Sequence, residues 1–390
     1  MYMSIDAIDY VLLLGAAQGL FLTLLILHKH GKLYANRFLA GLIGLYSLIL
    51  LYLFVGEAGL FEPHPQIMWI TLGFSLLVPP LHYLYARHLI FQTDRLYPKD
   101  IIHALPFLIY ELGVLSVIIF YPDLVETRTD RMQGNVLDPA DTAFNWFIIV
   151  QAAIYLSSTL LLLRQYSNRI KEMFSSLDRI RLTWLRNITY VVLAFIIIFT
   201  IENIFFICGI NLTNYFTLSS VLTAVYVYLL GYLGLVNSEV FLTEDISKSM
   251  HMLPEMKGSS TGDKYGKSGL SEERARRIED QLIQIMDAEK AYTNPNLTLP
   301  QLANQLDVSP HNLSEVINVR LRQNFFDLVN GYRIEKVKRD LGDPSKKQYT
   351  LLAIAFNAGF NSKTSFNTIF KRHTGLTPSE FRKKLKDTDP

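Results

Sequence analysis

Apolar positions along this chain follow two different rules. Before residue 237 they run together, in seven nearly continuous stretches at about 8–27, 38–55, 67–85, 101–120, 144–163, 188–208 and 215–236. Each approaches the roughly 20 residues of helix that cross a hydrocarbon core, so the pattern predicts seven membrane spans. The first lacks a basic leader and a small-residue cleavage site and is read as a retained span rather than a signal peptide. After residue 270 the apolar residues recur instead at intervals of three and four, the period of amphipathic helices. There Ala275, Ile278, Leu282, Ile285 and Met286 share one face of a helix predicted over 272–289. Between the two regimes, 241–270 contains Gly258-Ser-Ser-Thr-Gly262 and Gly266-Lys-Ser-Gly269. Such composition predicts a flexible tether, and about 28 residues of random coil give an r.m.s. span on the order of 30 Å.

Composition agrees with the membrane reading: 18% charged residues is low for a purely soluble chain. Loop charge then orients the spans. Lys29, Lys32 and Arg37 follow the first span, Arg87, Arg95 and Lys99 the third, and Arg164, Arg169, Lys171, Arg179, Arg181 and Arg186 the fifth. The opposite loops hold only Arg128 and Arg131. Basic loops stay cytoplasmic, which predicts an N-terminus outside and a C-terminus inside. The acidic outer segment 121–142 is either a solvated loop or a site for a cation. Cys208 is the one cysteine, which excludes an intramolecular disulfide and a cysteine-based zinc cluster.

Near the C-terminus the periodic pattern resolves into paired short helices. A helix over 350–358 carries Leu352, Ile354, Ala355 and Phe356 inward; Gly359 falls where a left-handed residue reverses the chain; Ser362 caps a second helix, 362–373, with Phe366, Ile369 and Phe370 inward. An upstream copy reads 299–306 as a helix, 307–309 as a turn with Ser309-Pro310 as cap and first helical position, and 310–319 as a second helix around Leu313, Val316 and Ile317. Between the copies, Val329, Tyr332, Val337 and Leu341 mark a connecting helix over 326–341.

The A-x₃-G-F turn, the S-x₃-F-x₃-F helix and the closing Gly375, Thr377, Pro378, Glu380, Phe381, Arg382 closely resemble the signature of the AraC/XylS transcription regulators, over roughly 271–386. The resemblance implies two helix-turn-helix units joined by a linker helix. The fold expected is therefore all-α: a seven-transmembrane-helix bundle over 1–240, a flexible linker over 241–270, and an AraC-like DNA-binding domain over 271–390. By the same resemblance, base contacts fall to His311, Asn312, Glu315 and Asn318 in the first unit and to Lys363, Thr364, Asn367 and Thr368 in the second. Arg320, Arg322, Lys371 and Arg372 look like phosphate contacts. Glu315 departs from the arginine often found there: either it reads cytosine, or readout by the first helix is weaker. Fifteen basic against seven acidic residues over 297–386 suit a polyanion.

Polar residues within the spans are Gln18, His82, Glu111, Gln151, Glu202 and Asn203, and Pro79-Pro80 should kink the third. His82, Glu111 and Glu202 either line a pocket for a polar ligand or proton or are each satisfied by a neighbouring hydroxyl or carbonyl. The seventh span has no lysine for a retinal Schiff base, and no H-E-x-x-H, G-x-S-x-G or phosphate loop occurs. No cofactor and no catalytic residue is expected. The chain reads as a regulator in a bacterial inner membrane, sensing a small-molecule or membrane signal. Its partners would be the lipid bilayer, double-stranded promoter DNA, RNA polymerase and a second copy in a homodimer. The alternative is a transporter or membrane enzyme with an autoregulatory DNA-binding or protein-interaction appendage.

Overall fold

A computed structural model describes residues 7–31, 33–57, 65–91, 95–124, 139–178, 180–208, 213–236 and 270–388. Among them every regular element is helical, and the only β pairing is an isolated bridge between Phe174 and Thr298. The linker expected over 241–270, except Leu270, and most of the acidic outer segment lie outside the described residues. The chain groups into two units, Met1–Arg164 with Leu182–Val240, and Gln165–Arg181 with Phe241–Pro390.

In the first unit the apolar stretches become α1 (Ala7–His30), α2 (Tyr34–Glu57), α3 (Pro65–Gly73), α4 (Val78–Phe91), α5 (Leu105–Phe120), α6 (Pro139–Met173), α7 (Thr183–Ile207) and α8 (Thr213–Val236). Among the described residues, five helical segments are long and apolar enough to cross a membrane: Asp9–His30, Tyr34–Gly56, Pro98–Phe120, Pro139–Met173 and Thr183–Phe205. The third expected span is broken. Pro79 and Pro80 lack N–H groups, and the four residues before Val78 tighten into a 3₁₀ turn, Phe74–Leu77. The carbonyl of Leu76, which Pro80 cannot bond, accepts instead from Gln151 Nε2 at 3.2 Å. The last expected span, 215–236, falls within the 24-residue helix α8.

Close packing of α1, α2 and α8 depends on small residues. A Cβ added at Gly19 would lie 2.0 Å from Ser47 Oγ and 2.9 Å from Val227. Leu12, Ala16, Leu39, Leu42, Ile43 and Leu230 are buried between these helices. The outer surfaces are apolar as well: Leu14, Leu24, Leu112 and Ile119 are each about two-thirds exposed. Past α4, buried Asp100 accepts from Arg87 Nη1 at 2.6 Å and Tyr97 N at 3.1 Å, and lies 3.0 Å from His88 Nε2.

The second unit contains α9 (Glu272–Gln284), α10 (Leu299–Gln305), α11 (Pro310–Glu315), α12 (Phe325–Gly342), α13 (Leu351–Asn357), α14 (Lys363–Thr374) and α15 (Pro378–Thr388). The apolar face expected on α9 is buried in full, from Ala275 to Met286, against Leu302, Leu313, Val316 and Ile317. Two helices differ from expectation. After Gln284 and after Glu315 the chain widens into single π turns, Ile285–Glu289 and Val316–Arg320. In the second of these, Leu321 N donates to Val316 O, five residues back, at 3.2 Å. The apolar residues still point inward, so their spacing gave no warning.

Candidate nucleic-acid interface

The second helix-turn-helix unit is built from its turn. Thr350 caps α13 and Ser362 caps α14, each hydroxyl accepting the backbone N–H three residues on at 3.1 Å. Gly359 between them adopts φ +100, and an added Cβ would meet Tyr292 O at 2.4 Å. Only glycine fits both that conformation and that approach. Inward-facing Phe366, Ile369 and Phe370 are buried, and Phe370 stacks edge-on to Phe381 of α15 at 5.4 Å. Phe356, expected inward, is 47% exposed, while Ile354 and Ala355 bury the helix.

With its aromatic side buried, α14 turns Lys363, Thr364, Asn367, Thr368, Lys371 and Arg372 outward, all exposed. Lys363, Asn367 and Lys371 follow at four-residue steps and so share one stripe, with Thr364 and Thr368 beside it. That stripe offers cationic, amide and hydroxyl groups side by side, the chemistry needed against base edges and phosphates. Arg372 also pairs with Asp327 of α12 at 2.6 Å.

The first unit presents less. Thr298 and Gln301 form a capping box at the start of α10, and Ser309 caps α11. The turn places Asp307, not glycine, at φ +53. His311 is exposed, whereas Asn312, Glu315 and Asn318 are half-buried. Asn318 Nδ2 folds back to donate to Ser314 O at 2.9 Å. Arg320 is held by two carboxylates of α9, pairing with Glu279 at 2.6 Å and with Glu272. Arg322 is exposed at φ +53 on the turn that follows.

Between the units, α12 carries a residue that sequence reasoning counted only as surface charge. Arg333 is 1% exposed. Its guanidinium donates to Tyr292 O at 2.8 Å, Asn294 O at 2.7 Å and Ser175 O at 3.2 Å. Burial pushes it down to about 9, still well above neutral pH, so it remains a cation surrounded by carbonyls. Nothing in a Tyr-Arg-Ile triplet distinguishes such a residue from an exposed arginine.

In the first compact unit His82 and Glu202 stand apart. His82 on α4 is buried, with Nε2 3.0 Å from Thr189 Oγ1 on α7. Glu202 lies thirteen residues further along that helix, a rise of roughly 20 Å. Glu111 Oε1 sits against Gly73 of α3. A cavity of about 380 Å³ opens elsewhere, among Trp69, Leu72, Tyr110, Val114, Asp141 and Phe144, and none of the three lines it. Among the described residues no group of three His, Cys, Asp or Glu side chains is placed to hold a metal ion.

Residues 302–384 match the model of a family described as a helix-turn-helix domain. The C-terminal part of this chain is an AraC-type helix-turn-helix domain. It is similar to the uncharacterized transcriptional regulatory protein YesN of Bacillus subtilis (strain 168), 30% identical over 127 residues, which are 32% of this chain and 31% of the relative. An uncharacterized HTH-type transcriptional regulator of Staphylococcus aureus (strain COL) is 31% identical over 104 residues, 27% of this chain and 14% of the relative. Among solved structures, the C-terminal domain of AraT, a response regulator from Geobacillus stearothermophilus, matches at 30% identity over 30% of this chain and 88% of that one, with a TM-score of 0.24. The chain thus spans about a third or less of the length of the curated relatives it matches.

Proposed function

We propose that this protein is a membrane-embedded, sequence-specific transcription regulator and not an enzyme: a seven-span bundle senses a membrane or periplasmic signal, and the cytoplasmic AraC-type domain binds promoter DNA. The observation that carries the reading is the stripe on α14, where Lys363, Thr364, Asn367, Thr368 and Lys371 stand exposed over a buried aromatic face. Support for the membrane half comes from five long apolar helices and from the apolar side chains on their outer surfaces. The basic loops set the AraC-type domain on the cytoplasmic side. Two recognition helices in one chain suit two successive major grooves, about 34 Å apart.

Genome-wide crosslinking of the full-length protein tests this, with a Lys363→Ala/Asn367→Ala double variant as control. Discrete peaks sharing a motif and lost in the control are expected. Equal enrichment for both proteins under every growth condition would overturn direct promoter binding.

A further inference from the structure

The turn that joins α6 to α7 along the chain is docked on the AraC-type domain. Phe174 forms its bridge with Thr298, the cap of α10. Ser175 donates to Leu297 O through both its N–H, at 3.2 Å, and its hydroxyl, at 2.7 Å. The Ser175 carbonyl accepts from Asn330 Nδ2 at 3.0 Å and from Arg333 Nη1 at 3.2 Å, both on α12. Asn361 Nδ2 donates to Ser176 Oγ at 2.9 Å. Finally, Ser362 Oγ donates to Asp178 Oδ2 at 2.6 Å. Phe174, Ser175 and Leu177 are buried, and Asp178 is exposed. Four residues within 174–178 therefore touch the first helix-turn-helix unit, the linker helix and the start of the second recognition helix.

The last contact bears on function. Ser362 is the cap of α14, and Lys363 follows it at the head of the polar stripe. The N-terminal turn of a helix in the major groove faces nucleic acid, and its N–H groups and positive dipole attract anions. Asp178 brings a carboxylate to that position, and Ser176 occupies the side chain of Asn361 just before it. A phosphate approaching the same corner meets both an occupied cap and a like charge.

We propose that residues 174–178 are an intramolecular brake: docked, they compete with DNA for the start of the second recognition helix, and displacement of the α6–α7 turn frees it. The proposal rests on the DNA-binding reading of α14. It gives the bundle a direct route to the domain, independent of the glycine-rich tether, because the brake is continuous in sequence with two of its helices.

The test uses the full-length protein in detergent and a fluorescent mixed-sequence DNA duplex at low salt. Asp178→Asn keeps the shape and removes the charge, and is expected to bind roughly three- to tenfold more tightly. A Ser176→Cys/Asn361→Cys pair, with Cys208→Ser to leave no other thiol, locks the brake when oxidised. That form should lose binding and recover it on reduction. Unchanged or weaker binding by Asp178→Asn, together with equal binding by the oxidised and reduced pair, would overturn the brake. The Lys363→Ala/Asn367→Ala variant separates the two levels. If wild type exceeds that control yet ignores the lock, the brake alone is wrong; if wild type and control bind equally in every state, the DNA reading falls and the brake with it.

Discussion

In the first helix-turn-helix unit the outer helix keeps α geometry for six residues, Pro310–Glu315, and then widens into a π turn; in the second it holds for twelve, Lys363–Thr374. The first unit reverses on Asp307 and the second on Gly359. Arg320, at the end of the first outer helix, is bound to carboxylates of α9, and Asn318 is folded onto its own helix. The second unit turns a row of exposed polar side chains outward from an aromatic core. One plan has thus been used in two ways: the first unit engages Arg320 with α9 and Asn318 with its own helix, while the second presents its polar groups. A shared fold does not give shared readout, because readout depends on which side chains the local packing has already engaged.

The largest expected effect comes from the buried guanidinium on the helix that connects the two units. Arg333→Met removes every bond of a buried guanidinium and leaves three carbonyls without it, so a loss of about 3 kcal/mol or more is expected. Faster hydrogen exchange across both units, 299–374, would show it; protection unchanged in either unit would mean that unit stands without the hub.

Next come the two turns. Gly359→Ala adds a Cβ against Tyr292 O at positive φ and should cost about 2–3 kcal/mol. Asp307→Gly, at φ +53, should change stability by less than about 1 kcal/mol. Urea unfolding of the two variants compares them directly, and equal losses would erase the distinction between the turns.

Binding gives a smaller contrast. Lys363→Ala should alter preference at one base position by roughly 1–3 kcal/mol, and Lys371→Ala should weaken all sequences while lowering the salt slope by about 1. Arg320→Ala should leave that slope nearly unchanged, since its guanidinium already holds Glu272 and Glu279. A slope that falls equally for Arg320 and Lys371 would make the first unit a full partner in binding.

The smallest effect is on pH. Burial pushes the Asp340 carboxyl up, but hydrogen bonds from Lys346 and Lys336 outweigh it and hold the group below its ordinary value. The backbone and hydroxyl of Thr377 hold Glu380 low in the same way. Each therefore favours the charged form in the folded state. The stability they add is complete above the ordinary carboxylate range and disappears as pH falls through the lowered values. Asp340→Asn and Glu380→Gln should flatten the acid limb of the unfolding curve around the linker helix and α15; an unchanged limb would dismiss these contacts.

Much of the second unit was legible in the sequence because its signals are local. Gly359, Ser362 and the spacing of Phe366, Ile369 and Phe370 place a turn, a cap and a buried face within fifteen residues, and the linker helix expected at 326–341 appears as Phe325–Gly342. Phe356 misled because an aromatic at helical spacing reads as core even where the helix end leaves it in solvent. Arg333 and Ser175 were missed for another reason: the partners that give them their roles lie far away in sequence, 39 residues from Arg333 to Asn294 and 158 from Arg333 to Ser175. His82, Glu111 and Glu202 were grouped by cost in lipid, a property of each residue alone. Pro79-Pro80 announced a kink, and the structure carries the break upstream to Phe74, where Gln151 supplies the donor that the prolines lack.

Arg333 also sets an order of assembly. Ser175 leaves the ribosome 158 residues ahead of the arginine that binds its carbonyl, a delay of about 8–30 s at ordinary rates of synthesis. The α6–α7 turn must wait through that interval with its backbone groups on water. The apolar helices of the first unit are thus already made before the guanidinium arrives to tie this turn to the AraC-type domain.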